Sequence, residues 1–257
     1  MEIVTETMER ISPRPLVIAR GGASAAAPEH TIAAFEAAIA EGADAIGLRV
    51  RLTRDGHPVA FGPARLERTT NGRGPLILHT VRELKRLDAG GWKDPSFRGQ
   101  RIQTLQEVLE RFRDRTRFWI ELPEDGDPQS GVEERVVSTV EIYDSVDLCH
   151  VLSADRMALE RVRALNPSVK RGAIWTTGPL SDALRAAGAA EALCAAAEVI
   201  GGAGVETIRA AGLGCYVQTA DDEPALVDRL VEWRVDGILT GRPGLIRTRL
   251  DRSSSSN

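Results

Sequence analysis

A parallel β/α architecture of the barrel type is the fold class this sequence predicts, and three observations predict it. Short apolar runs alternate with helix-patterned stretches along nearly the whole chain. The length, 257 residues, suits a single closed β/α barrel of roughly 250 residues. Aromatics make up only 4% of the chain, so the core must rest on Ala, Val, Leu and Ile, the side chains that buried parallel strands favour. Alternation alone leaves an open doubly wound sheet as the other arrangement.

Eight strands are predicted, at 16–19, 45–52, 117–122, 147–152, 170–174, 192–197, 214–219 and 237–240. Helices are predicted between them, at 31–41, 104–112, 132–142, 155–165, 181–187, 205–211 and 223–233. The first helix carries Ile32, Phe35, Ala38 and Ile39 on one face. Asn166-Pro167 ends the helix at 155–165. The strand at 192–197 is weak, because Ala is a poor strand former. Residues 62–99 break the repeat with a long Gly- and Pro-bearing connection after the second strand. In a barrel such a connection lies at the C-terminal rim, as part of a site or as a cap over the mouth. One domain is expected over 1–252, with 253–257 as a low-complexity frayed tail.

Hydrophobic residues at 42% and charged residues at 27% are ordinary for a soluble globular protein. The net charge of −4 offers no broad electrostatic attraction for nucleic acid. Arginine far outnumbers lysine but is spread along the chain, as on solvated helix faces. Cys149, Cys194 and Cys215 match no metal or redox spacing and read as reduced, buried small hydrophobes. The first 14 residues are acidic and lack the apolar stretch of a signal peptide. No window approaches the ~18–20 apolar residues of a membrane span, so a cytoplasmic protein is expected. Gly21-Gly22 and the glycines at 201–204 complete no nucleotide-binding fingerprint and read as strand-to-helix turns.

Five segments carry a family resemblance. They are LVIARGGASAAAPEHTIAAF (16–35), EGADAIGLRVRLTRDGHPVAFGPARLERTTNG (41–72), RIQTLQEVL (101–109), WIELP (119–123) and VDGILTGRP (235–243). Together they resemble the glycerophosphodiester phosphodiesterase family. Its pattern runs apolar strand, A-H-R-G, P-E-N-T, then G-A-D-x-I-E-x-D-V-x-x-T-x-D-G, H-D, R-T-T, a P-T-L-x-E-V-L helix, a strand ending E-x-K, and V-D-G-I-I-T-D-x-P. The resemblance implies a (β/α)₈ TIM barrel with a small insertion after the second strand, which is where 62–99 falls.

It also implies an activity. Such proteins cleave glycerophosphodiesters, in lipid metabolism, with two histidines as acid and base and a divalent metal, Ca²⁺ or Mg²⁺, held by carboxylates. Carried over position by position, the first histidine falls on Arg20 and its neighbouring arginine on Gly21. The strand-two carboxylates fall on Gly47 and Arg49. The second histidine falls on Gly62 and the aspartate after it on Pro63. The third carboxylate, Glu121, is retained, while the lysine two residues on is Pro123. The asparagine of P-E-N-T is His30, and the late tryptophan and aspartate are Gln218 and Gly241. One metal ligand of three therefore remains, and neither histidine. The replacement is selective: Pro28, Glu29, Thr31, Phe35, Gly42, Asp44, Thr53, Asp55, Gly56, Leu66, Arg68, Thr69, Thr70 and Gly72 keep the family type. These read as turn, cap and packing positions.

Strand alternation sends Gly47, Arg49 and Arg51 to one face and Ile46, Leu48 and Val50 to the other. If the apolar set packs under helices, Arg49 points into the barrel, where a charge needs a partner. Glu121 is the expected one, with Arg20 close by. The pair either plugs the pocket or, with Arg20, forms an anion site for phosphate or carboxylate. His30 is expected at the helix entrance, with replacement of a lost acid or base as the other reading, and it joins Arg20, Arg49 and Glu121 as a candidate to bind a ligand. His57 is expected exposed, His79 in the insertion, and His150 in the core. Three functions follow: a degenerate member binding a small anionic or apolar ligand, or a protein partner, without metal or cofactor; a repurposed metal-free enzyme using Arg20, Glu121 or His30; or an active hydrolase with relocated residues. Loss of side chains at Gly47 and Gly62 is expected to enlarge the cavity.

Overall fold

The computed structural model describes residues 14–123, 131–188, 190–219 and 224–254. Its strands are β1 (Leu16–Arg20), β2 (Ala45–Leu52), β3 (Pro58–Ala60), β4 (Gln103–Thr104), β5 (Arg117–Glu121), β6 (Cys149–Ser153), β7 (Lys170–Trp175), β8 (Ala192–Ala196), β9 (Gly214–Gln218) and β10 (Gly237–Thr240). Its α-helices are α1 (Ile32–Ala40), α2 (Val81–Leu84), α3 (Leu105–Phe112), α4 (Val132–Ile142), α5 (Arg156–Leu165), α6 (Leu180–Ala187), α7 (Gly202–Ala210), α8 (Pro224–Glu232) and α9 (Pro243–Ser254).

Eight strands, β1, β2 and β5 to β10, pair in parallel in sequence order, and β10 returns to β1. The sheet is therefore a closed (β/α)₈ barrel, not an open one. All eight expected strands form, including alanine-rich β8, because burial on both faces overrides its poor intrinsic propensity. The sequence reading missed α9, β3, β4 and α2. Helix α9 reaches Ser254, so two residues of the expected tail are helical, while 255–257 lie outside the described residues, as does the N-terminal stretch 1–13.

Side-chain alternation sorts the core into layers. Outward-facing Ile46, Leu48, Val50, Phe118 and Ile120 pack with Phe35 and with Leu109 and Phe112 of α3. A second such layer, including Val17, Leu193 and Ile238, covers the opposite half of the barrel. Inside the barrel, Ile18, Trp119, Leu152, Cys194 and Leu239 form the floor. The Trp119 ring stacks on His150 at 4.6 Å and meets Tyr216 at 4.2 Å. His150 is thus an inward core residue. The three cysteines are free and buried, and burial raises each thiol pKa, to about 12 at Cys194 and Cys215.

Three acidic residues stand one position ahead of a barrel strand and tie it to its neighbour. Asp44 accepts the Val17 N–H at 2.8 Å, Glu191 that of Arg171 at 2.7 Å, and Asp236 that of Cys215 at 2.7 Å. In each case the acidic residue's own N–H returns to the carbonyl of the same partner. Asp44 also holds Arg247 of α9 at 2.6 Å, joining the first two strands to the last helix. These contacts lie at the N-terminal end of the barrel, opposite the mouth, and serve stability.

The insertion after β2 begins with β3 antiparallel to β2 and ends with β4 antiparallel to β3. Val59, Phe61, Leu66, Leu76, Leu84, Ala89 and Ile102 give it a small core of its own. Thr70 closes its R-T-T turn, donating to the Leu66 carbonyl at 2.7 Å. Gly90 is required here, because a Cβ would stand 1.9 Å from the Phe97 carbonyl oxygen. Among the described residues no helix is long and apolar enough to cross a membrane.

Replacing Asp44 with Ala strands the Val17 N–H and removes the ion pair of Arg247, whose Nε keeps the Gly42 carbonyl. The expected cost is about 2 kcal/mol of unfolding free energy, read by urea denaturation, with no change in ligand affinity at the mouth.

Candidate functional site

The mouth is reached from β1, β2 and β5, whose last inward residues stand side by side. Register pairs Arg20 with Gly47 across β1 and β2, and Arg49 with Glu121 across β2 and β5. A cavity of about 200 Å³ opens above them, lined also by Gly21, Ser24, Glu29, His30, Gly62, Pro63 and Arg68. That is smaller than the ~300–1,000 Å³ of sites for drug-sized molecules and suits a small headgroup.

Arg49 and Glu121 form the expected pair. The Arg49 Nε donates to Glu121 Oε1 at 3.0 Å, and Nη2 donates to the same oxygen. The Glu121 side chain is 16% exposed and that of Arg49 34%, so the pair is partly screened and does not seal the cavity. Arg20 is exposed at the rim and makes no hydrogen bond or ion pair with a described residue. Arg51 takes a different course: its buried guanidinium donates from Nε to the Gly62 carbonyl at 3.0 Å and holds that loop in place.

The sequence reading assigned Arg68 to turn and packing positions, yet its exposed side chain lines the cavity. A basic residue in a rim insertion was the signal available. Three guanidinium groups, Arg20, Arg49 and Arg68, therefore face two carboxylates, Glu29 and Glu121. Low dielectric walls and excess positive charge favour an anion.

His30 stands just before the cap of α1 and lines the cavity. The helix cap is Thr31, whose hydroxyl accepts the Ala34 N–H at 3.3 Å and donates to the Pro28 carbonyl at 2.6 Å. His30 precedes it in the left-handed region, at φ 60°, with its N–H on the Gly21 carbonyl at 2.9 Å. Histidine and asparagine are among the residue types that tolerate this region. Gly22 supports the same loop at φ 82°, where a Cβ would stand 2.5 Å from the Ala34 backbone. The loop turns the His30 ring into the cavity, buried to 9% exposure. Burial, and then the charges of Arg49, Arg20 and Arg51, lower its pKa to about 3, so the ring is neutral at neutral pH.

The ring also corrects the expectation of an enlarged cavity. A Cβ at position 62 would lie 3.2 Å from His30 Nε2 and 3.3 Å from Glu29 Oε1. The space a side chain at Gly62 would use is already filled. Gly47 differs, since a Cβ there meets its neighbours at ordinary distances of 3.4 Å and more. The other histidines lie away from the cavity: His57 is exposed, and His79 contacts the Arg73 carbonyl at 3.1 Å.

The chain matches the Glycerophosphoryl diester phosphodiesterase family over residues 21–245. It belongs to that family. A family relative, the Bacillus subtilis protein YhdW, is 42% identical over 62% of this chain and 65% of its own length. A glycerophosphodiester phosphodiesterase of Caldanaerobacter subterraneus is 35% identical over 90% of this chain and 95% of its own. Among solved structures, an Oleispira antarctica phosphodiesterase in complex with the product sn-glycerol-3-phosphate matches at TM-score 0.82. It is 29% identical, over 93% of this chain and 97% of its own.

The divalent metal that family resemblance implies does not fit these residues. Of the positions that would hold it, Gly47 has no oxygen to offer, Arg49 carries positive charge, and Glu121 already receives Arg49. Among the described residues no three His, Cys, Asp or Glu side chains gather as a metal-binding group. A hard divalent cation takes six or more oxygens, several of them anionic.

Two measurements test this geometry. Arg49→Ala leaves the Glu121 carboxylate half-buried and unpaired and is expected to cost about 2 kcal/mol; Arg49→Ala/Glu121→Ala recovers part of that loss in urea unfolding. His30 binds its proton far less readily folded than unfolded, so the unfolded state holds more protons between pH 6.5 and about 3. Stability then falls as pH falls through that window, by about 1.4 kcal/mol per unit for this group. His30→Asn is expected to flatten the decline between pH 6 and 4 in urea titrations.

Proposed function

We propose that this chain binds a small phosphate- or carboxylate-bearing molecule at the barrel mouth and does not carry out metal-dependent phosphodiester hydrolysis. The observation that carries this reading is the Arg49–Glu121 pair beneath the unpaired Arg20 guanidinium. A guanidinium stands where a metal ligand would be. It supplies the positive charge that a metal would otherwise bring to a phosphate, and its planar fork suits phosphate oxygens. Arg20 stands where a base would be, and a guanidinium, which carries only donors, cannot accept a proton. The sn-glycerol-3-phosphate bound in the Oleispira antarctica relative supports a phosphate ester of glycerol as the first ligand to try.

A second reading is metal-free chemistry in the same cavity. It is favoured by His30, a neutral imidazole beside the arginines, and it takes the same class of ligand.

The deciding experiment measures hydrolysis of bis(p-nitrophenyl) phosphate and glycerophosphocholine with Ca²⁺, with Mg²⁺ and with EDTA. No metal-stimulated turnover is expected; stimulation by either ion overturns the first reading, and EDTA-resistant turnover abolished in His30→Asn favours the second. Calorimetry with sn-glycerol-3-phosphate is expected to detect binding that weakens about tenfold in Arg20→Ala, the loss of one charge-assisted contact, and that weakens further with added salt.

A further inference from the structure

We propose that His30 is a direct contact of the bound phosphate, donating from Nε2 through the space beside Gly62. The inference rests on the reading of the mouth as a phosphate site and adds to it a residue of a type that the family pattern does not place at this position.

Three observations carry it. The side chain is nine-tenths buried yet lines the cavity, and its Nδ1 has no hydrogen-bond partner. A stranded N–H is costlier and rarer than a stranded acceptor, so the favoured tautomer leaves Nδ1 bare and puts the hydrogen on Nε2. The ring is also wedged between two glycines: a Cβ would approach Nε2 to 3.2 Å from position 62 and 3.7 Å from position 21. Nε2 therefore stands where a side chain at 62 would enter the site. Finally, the backbone fixes the ring's origin, through left-handed His30 and its N–H on the Gly21 carbonyl. A neutral imidazole presents one N–H and one lone pair. Beside Arg20 and Arg49 it adds a directional donor without adding a further positive charge.

The same geometry makes positions 30 and 62 alternative sources of one imidazole. Asparagine at 30 is shorter and keeps the left-handed backbone, which frees the space for a histidine entering from 62.

The test uses the full chain at pH 7.5, with sn-glycerol-3-phosphate and inorganic phosphate as probes. His30→Gly suits the positive φ and removes the ring; its affinity for both probes is expected to fall about tenfold, and millimolar imidazole to restore most of it. The swap His30→Asn/Gly62→His is expected to bind within threefold of the unaltered chain. In the unaltered chain labelled with ¹⁵N-histidine, the His30 Nε2 resonance carries the proton and shifts on addition of phosphate. Unchanged affinity in His30→Gly, together with an unmoved Nε2 resonance while Arg20→Ala still weakens binding, overturns this proposal and leaves the phosphate site standing. Failure of the unaltered chain to bind either probe overturns both. If His30→Gly does not fold, the swap variant and the ¹⁵N shift decide.

Discussion

Closure of the barrel is the constraint on which the mouth depends. β1 pairs with β10 on one side and β2 on the other, so neither strand can slip without turning its inward residues outward. That register brings the ends of β1, β2 and β5 to one height. Arg20, Gly47, Arg49 and Glu121 become neighbours although they are up to a hundred positions apart in sequence. The acidic residues ahead of β2, β8 and β10 lock the opposite end with paired backbone contacts. The strand-locking carboxylates and the cavity thus occupy opposite ends of the barrel.

Charge at the mouth follows from that separation. A carboxylate left without its metal would be a half-buried anion with no partner, which is costly. An arginine on the adjacent strand answers it with two hydrogen bonds to one oxygen. Since the pair remains partly open to solvent, it neutralises Glu121 without closing the cavity. Arg20 and Arg68 are then surplus positive charge facing the same space.

Much of this was legible in the sequence. The eight strands, the rim position of 62–99 and the Arg49–Glu121 pair follow from alternating apolar runs together with the family resemblance. Helix α9 was not, because its apolar residues, Leu245, Ile246 and Leu250, are interrupted by arginines on a short turn pattern. β3 and β4 are too short to show alternation. His30 was legible only in part. Its neighbour Thr31 is the cap, and the direction of the His30 ring depends on a left-handed backbone that residue type alone permits but does not dictate. Arg68 was hidden inside a turn motif whose other members, Thr69 and Thr70, are buried.

The ring lodged beside Gly62 has a consequence for the history open to this chain. Sites 30 and 62 are epistatic. A Cβ arriving at 62 while His30 is present presses on the ring, whereas one arriving at Gly47 meets its neighbours at ordinary contact distance. A histidine at 62 is therefore expected to fit more readily once position 30 carries a smaller side chain.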